Sequence, residues 1–185
     1  MKSILRCSLA VVALGTLSGG AFAVENTDLI GTWNLTGALG TAVRNVHGER
    51  VRATGSMTFN QDGTCVLALS SAIAPLPSVG DGLCGGQVCL PCTYTVTPRR
   101  AFDINWDDTV VAALANAATT SLLGTLSEGA TTDVEIERSA GLFRPELARI
   151  RIETVIKGVT SIPARQATRR FAMRFVLAGE RAPAN

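Results

Sequence analysis

The stretch GSMTFNQDGTCVLAL, residues 55–69, decides the fold. Val51, Ala53, Met57 and Phe59 alternate with Arg52, Thr54, Ser56, Thr58 and Asn60, the two-residue period of a strand with one buried face. Asn60, Gln61, Asp62 and Gly63 are turn formers, with Gly63 placed to take the left-handed backbone angle that closes a short bulged loop. Cys65, Leu67 and Leu69 resume the alternation on the return arm. This is an antiparallel hairpin, and the same unit recurs along the chain.

Upstream, residues 29–37 read as the first strand, with Leu29, Trp33 and Leu35 on one face. Residues 40–49, weakly patterned and containing His47, read as a loop. Downstream, residues 74–90 are dense in Gly and Pro and predict a long excursion without a regular element. A second hairpin follows over 93–97 and 101–106, in which Tyr94 and Val96 face Phe102, Ile104 and Trp106 across a turn at Pro98, Arg99 and Arg100. The period then changes. Val110, Val111, Leu114, Ala117, Ala118 and Leu122 recur every three or four residues behind Asp107 and Asp108, which predicts a short helix over 107–121, the alternative being another strand pair.

A third hairpin is expected from 122–126 and 131–138, with Val134 and Ile136 inward and Asp133, Glu135 and Glu137 outward. The last pair alternates most cleanly: Ala148, Ile150, Ile152 and Ile156 against Arg149, Arg151 and Glu153, then Phe171, Met173, Phe175 and Leu177 against Arg170 and Arg174. Glu135 and Glu137 are expected to face Arg149 and Arg151, and residues 179–185 to form a polar tail.

Eight or nine consecutive strands with one apolar face each close into a barrel or fold into a sandwich. The lack of edge-protecting residues at either end favours closure. The expected fold is therefore all-β, an antiparallel up-and-down barrel of about eight strands with one short helix insertion. An outer-membrane barrel is disfavoured, because the face opposite the apolar residues carries Arg149, Arg151, Glu135 and Glu137.

The first 23 residues read as a leader. Lys2 and Arg6 precede a short apolar run over 9–17, and Ala21, Phe22, Ala23 form a small-residue cleavage site. The run falls short of the roughly 20 residues that span a bilayer, so the expectation is a signal peptide over 1–23 and one exported domain over 24–185, periplasmic or extracellular. Removing Lys2 and Arg6 from 17 basic residues leaves as many as the 15 acidic ones, so the exported chain is formally neutral. Basic residues concentrate beyond Arg144, which reads as solvated outer faces of strands. Cys7 leaves with the leader, and Cys65, Cys84, Cys89 and Cys92 imply two disulfides with three pairings open; one bridge should tie the loop to the first hairpin.

Gly31, Thr32 and Trp33 followed by a meander of hairpins resemble the lipocalin-like group of the calycin superfamily, in its exported bacterial form, whose first strand carries a G-x-W motif. The likeness extends over most of 29–177, including TFNQDGTC, TYTVTPRRAFDI and GTLSEGATTDVEI. It implies that Trp33 closes the base of the barrel and that an arginine of the last strand packs across it, with Arg174 the candidate. It also implies a lumen that takes a small hydrophobic ligand. The alternation selects Trp33, Leu35, Met57, Phe59, Ile104 and Trp106 as lining residues from the first half, and Ile150, Ile152, Phe171, Met173 and Phe175 from the second.

Chemistry is sparse. CLPC, residues 89–92, has the spacing of a thiol oxidoreductase pair, but it precedes a strand rather than a helix, so Cys89 and Cys92 read as structural. The four cysteines as a zinc site compete with oxidation after export. His47 is the single histidine, TLSEG over 125–129 misses a nucleophile elbow, and the adjacent Asp107 and Asp108 point apart on a strand or cap a helix. No catalytic residue, metal site or cofactor is assigned, and no exposed aromatic–basic pattern supports nucleic-acid binding. Two functions remain: a barrel holding a small hydrophobic ligand, or a cell-envelope module that presents the stapled loop 74–92 to a protein partner, such as an inhibitor. A membrane-spanning role is not expected.

Overall fold

Every expected strand except 122–126 forms, and neighbours in sequence are neighbours in the sheet. The computed structural model describes residues 26–71, 88–97 and 100–183. Its strands are β1 (Gly31–Val43), β2 (His47–Phe59), β3 (Thr64–Ser71), β4 (Val88–Thr97), β5 (Ala101–Trp106), β6 (Thr131–Arg144), β7 (Arg149–Ile162) and β8 (Ala167–Arg181), with the helix α1 (Asp108–Leu123) between β5 and β6. They form a closed antiparallel barrel in chain order, because β8 returns to pair with β1 from Trp33–Arg181 to Val43–Phe171. The expected leader over 1–23 lies outside the described residues, as do 72–87 with Cys84 and the turn residues Pro98 and Arg99.

The opening hairpin stands as read. Met57 pairs with Leu67 and Phe59 with Cys65, and the turn closes at Gly63 with φ 84°. There the Asp62 carboxylate accepts hydrogen bonds from the Thr64 backbone N–H at 2.9 Å and its hydroxyl at 2.6 Å. The Thr64 hydroxyl and, next, its N–H therefore hold the Asp62 carboxyl below its ordinary range. Asp107 caps α1, accepting from the N–H groups of Thr109 and Val110 at 2.9 and 3.2 Å.

Several boundaries differ from the sequence reading. Residues 40–49 are not a loop: β1 runs to Val43 and β2 starts at His47, because Leu39, Thr41 and Val43 continue the inward alternation past Gly37. Residues 122–126 are no strand; they finish α1 and continue into a 3-10 turn (Gly124–Ser127). In β6 a bulge between Ile136 and Arg138 resets the phase, so Ser139, Gly141 and Phe143 follow Val134 and Ile136 onto the inner face. The segment 179–185 is no tail at its start, since β8 continues to Arg181.

The expected pairing of Glu135 and Glu137 with Arg149 and Arg151 is also overturned. The β6–β7 turn puts Arg144 opposite Arg149, and this register carries Glu135 to Lys157 and Arg151 to Leu142. The outer ion pairs are instead Glu137–Lys157, Arg174–Glu153 at 2.6 Å and Arg149–Glu180 at 2.7 Å. Exposed pairs of this kind contribute about 0.2–1 kcal/mol.

Candidate functional site

Strand register arranges the inner face in rungs. At one level Gly37, Leu177, Ile152 and Gly141 follow one another around β1, β8, β7 and β6; at the next stand Leu39, Phe175, Thr154 and Ser139; above them come Thr41, Met173, Ile156 and Ile136. All eleven residues assigned to the lumen from sequence are buried, the most exposed being Ile104 at 5%.

The base is closed by rings. Trp33 meets Phe143 edge-on at 5.5 Å between centroids, while Phe59 meets Tyr94 at 4.9 Å and Phe102 at 5.3 Å, all near perpendicular. Such pairs contribute about 0.5–1.5 kcal/mol beyond burial. Phe102 lies where a side chain at position 141 would be, so Gly141 is needed: a Cβ there would fall 1.9 Å from the ring. The Tyr94 hydroxyl donates to the Asn60 carbonyl at 2.8 Å, and burial, then the Asp62 charge, pushes its pKa up.

Trp33 donates its indole N–H to the Leu29 carbonyl at 2.9 Å, and an arginine does lie across its ring. That arginine is Arg181, 5.0 Å from the ring centroid, and not Arg174, which points outward to Glu153. Arg181 also donates to the Asp28 carbonyl. The signal was present: Leu177, Gly179 and Arg181 continue the inward series, whereas Arg174 belongs to the opposite parity.

Higher up, the lumen becomes mixed. The Trp106 indole N–H donates to the hydroxyls of Ser139 at 2.6 Å and Thr154 at 3.2 Å, which bond each other at 2.8 Å, and its ring meets Phe175 at 5.7 Å. At the far end α1 buries Val111, Leu114, Ala115 and Leu123 against the core, with Ala118 buried beside them on the helix. Thr119 joins Thr132 and Thr160 in a buried run of hydroxyls, and the Asn116 side chain accepts from the Thr132 N–H at 2.8 Å. Thr41, 4% exposed, breaks the pattern: its hydroxyl is buried with no hydrogen-bond partner among the described residues. Sequence reasoning missed it by reading 40–49 as a loop.

Cys65 is bonded to Cys92 across paired positions of β3 and β4, Cα atoms 4.8 Å apart, so CLPC does not form a local bridge between Cys89 and Cys92. Cys89 is itself disulfide-bonded, to a partner outside the described residues. Residues 88–92 of the proposed presenting loop belong to β4, and 74–87 lie outside the described residues. His47 is exposed at the β1–β2 turn, and no group of three or more metal-ligating side chains gathers among the described residues.

No protein-family model and no curated protein matches this sequence. Among solved structures the chain is similar to a redesigned beta barrel, at 11% identity and TM-score 0.32 over 88% of this chain and 99% of that one. It is also similar to a protein of unknown function from the DUF3598 family of Nostoc punctiforme, at 12% identity and TM-score 0.37 over 86% of this chain. The match spans half the length of that protein.

Proposed function

We propose that this protein is an exported, lipocalin-like barrel that holds one small, mainly apolar molecule between the Trp106 level and α1. The observation that carries the reading is the Thr41 hydroxyl. A buried, unpaired hydroxyl costs about 1–3 kcal/mol, and proteins keep few of them. Its rung neighbours on β8, β7 and β6 are apolar, Met173, Ile156 and Ile136, while on β2 it pairs with Glu49. A ligand with an apolar body and one hydrogen-bonding group suits such a lining. The Trp33–Arg181 stack supports the lipocalin-like reading, and the leader-like residues 1–23 together with the disulfide support export.

Native mass spectrometry of protein purified from the periplasm or medium tests the reading, together with melting-temperature shifts over a panel of long-chain alcohols and acids. The expected result is a co-purifying adduct or a rise in Tm that Thr41→Val reduces. No adduct and no shift across the panel overturns it.

A further inference from the structure

The barrel wall is not equally closed all the way round. β7 and β8 pair without interruption from Arg149–Glu180 to Ile162–Ala167, and β1 and β2 from Gly31–Phe59 to Val43–His47. Between β5 and β6 the ladder has three residue pairs, Ala101–Leu142, Phe102–Gly141 and Asp103–Ala140, extended by one bond from the Phe143 N–H to the Arg100 carbonyl. Beyond Asp103 the wall is joined by side chains. Trp106 of β5 reaches Ser139 of β6 and Thr154 of β7, and further on α1 covers β6 through Asn116 and Thr119 to Thr132.

Two features lie beside this seam. The β6 bulge between Ile136 and Arg138, in the ladder with β7, begins two residues beyond Ala140, the last residue of β6 paired with β5, and bulges bend the strand that carries them. On the outer face, a groove of about 680 Å³ runs over the three paired positions of β5 and β6 and onto β7, lined by Asp103, Ala140 and Leu142 together with Arg138 and Arg151 among others. Parting two strands elsewhere breaks a run of backbone hydrogen bonds; parting them here, above Asp103, breaks a few side-chain bonds and some apolar contact.

We propose that small amphiphiles enter and leave the lumen sideways, through the β5–β6 seam, with the Trp106 indole as the gate. The inference rests on the lumen-binding reading above. Trp106 bonds Ser139 and Thr154, which stand one rung below that of Thr41, so the gate opens into the lumen at that level, with Thr41 on β1 across the barrel from it. Ser139 and Thr154 keep their mutual bond when the indole swings away, so opening leaves neither hydroxyl orphaned.

Stopped-flow fluorescence with N-phenyl-1-naphthylamine, an apolar probe with a single N–H, tests this on the exported chain. Trp106→Phe removes the latch and keeps most of the ring. It should raise the association and dissociation rates together, at least fivefold, with Kd changed less than twofold. Trp33→Phe, which removes a buried indole N–H at the base, should leave both rates within twofold. Binding with unchanged rates in Trp106→Phe, or an equal rise in Trp33→Phe, overturns the gate and leaves the lumen reading standing. No probe binding in the parent protein, with the lipid panel also silent, overturns both.

Discussion

The two ends of the barrel are closed by different means. At the base, strands contribute the closing groups directly: Trp33 of β1, Phe59 of β2, Tyr94 of β4, Phe102 of β5 and Phe143 of β6 meet as rings, with Arg181 of β8 across the tryptophan. At the other end a single helix, tied by a carboxylate cap and threonine hydroxyls, covers the opening. Base closure is thus inseparable from sheet formation, whereas α1 is held by its cap, its buried apolar side chains and side-chain hydrogen bonds to β6. The difference assigns stability to the base and, on the function proposed above, ligand exchange to the side that carries the helix.

Breaking the base should have the largest effect. Trp33→Ala removes the ring on which Phe143 and Arg181 pack and is expected to cost about 3–5 kcal/mol in urea unfolding, with loss of cooperativity. A smaller injury to the same plug is Gly141→Ala, where the added methyl meets the Phe102 ring; overpacking of this kind costs about 1–3 kcal/mol. If both variants unfold like the parent protein, the base does not carry the stability assigned to it.

The base was also the more legible end. Trp33, Phe59 and Phe102 sit on runs whose alternation shows no phase change, so their inward direction follows from parity alone. What the sequence concealed lies where that periodicity is interrupted. Gly37 looked like a strand end, yet its inward position is where β1 and β8 approach too closely for a side chain, a Cβ there falling 2.0 Å from the Val176 carbonyl oxygen. Beyond it Leu39 fell outside the expected strand, and Thr41 and Val43 fell within the expected loop over 40–49. Gly179 hid Arg181 in the same way, and the bulge after Ile136 hid Phe143. The helix was visible in its three-to-four period, but its true length was not, because Leu122 and Leu126 suit a strand equally well. Tight barrels place glycine on the inner face for closeness, and a reader of sequence takes the same glycine for a turn.

On the helix-bearing side the expected change has the opposite sign. Thr41→Val replaces an unpaired buried hydroxyl by a methyl of similar shape, so it should stabilise the ligand-free protein by about 1 kcal/mol, seen as a higher urea midpoint with an unchanged slope. A destabilisation instead would mean that the hydroxyl is satisfied in solution, and the case for a ligand group at that level would lose its support.

The smallest expected effect separates the two ends by pH. Asp107 starts α1, and hydrogen bonds from the Thr109 side chain and, next, the Val110 N–H hold its carboxyl below the ordinary range. A depressed folded pKa means a contribution that is complete above the unfolded value of about 4 and is lost as pH falls through the lower folded value. Asparagine also caps helices, so Asp107→Asn should leave α1 in place at neutral pH while removing this acid dependence. The molecule supplies its own reporters, since its two tryptophans fall one to each region: Trp106 beside the hydroxyl bridge, Trp33 in the base. Followed in Trp33→Phe, the Trp106 emission should shift below about pH 4 before Trp33 emission shifts in Trp106→Phe, and adding Asp107→Asn should narrow that gap. Coincident acid transitions, with or without the cap carboxylate, would mean that helix and base open as one unit, and the division of labour between them would fall.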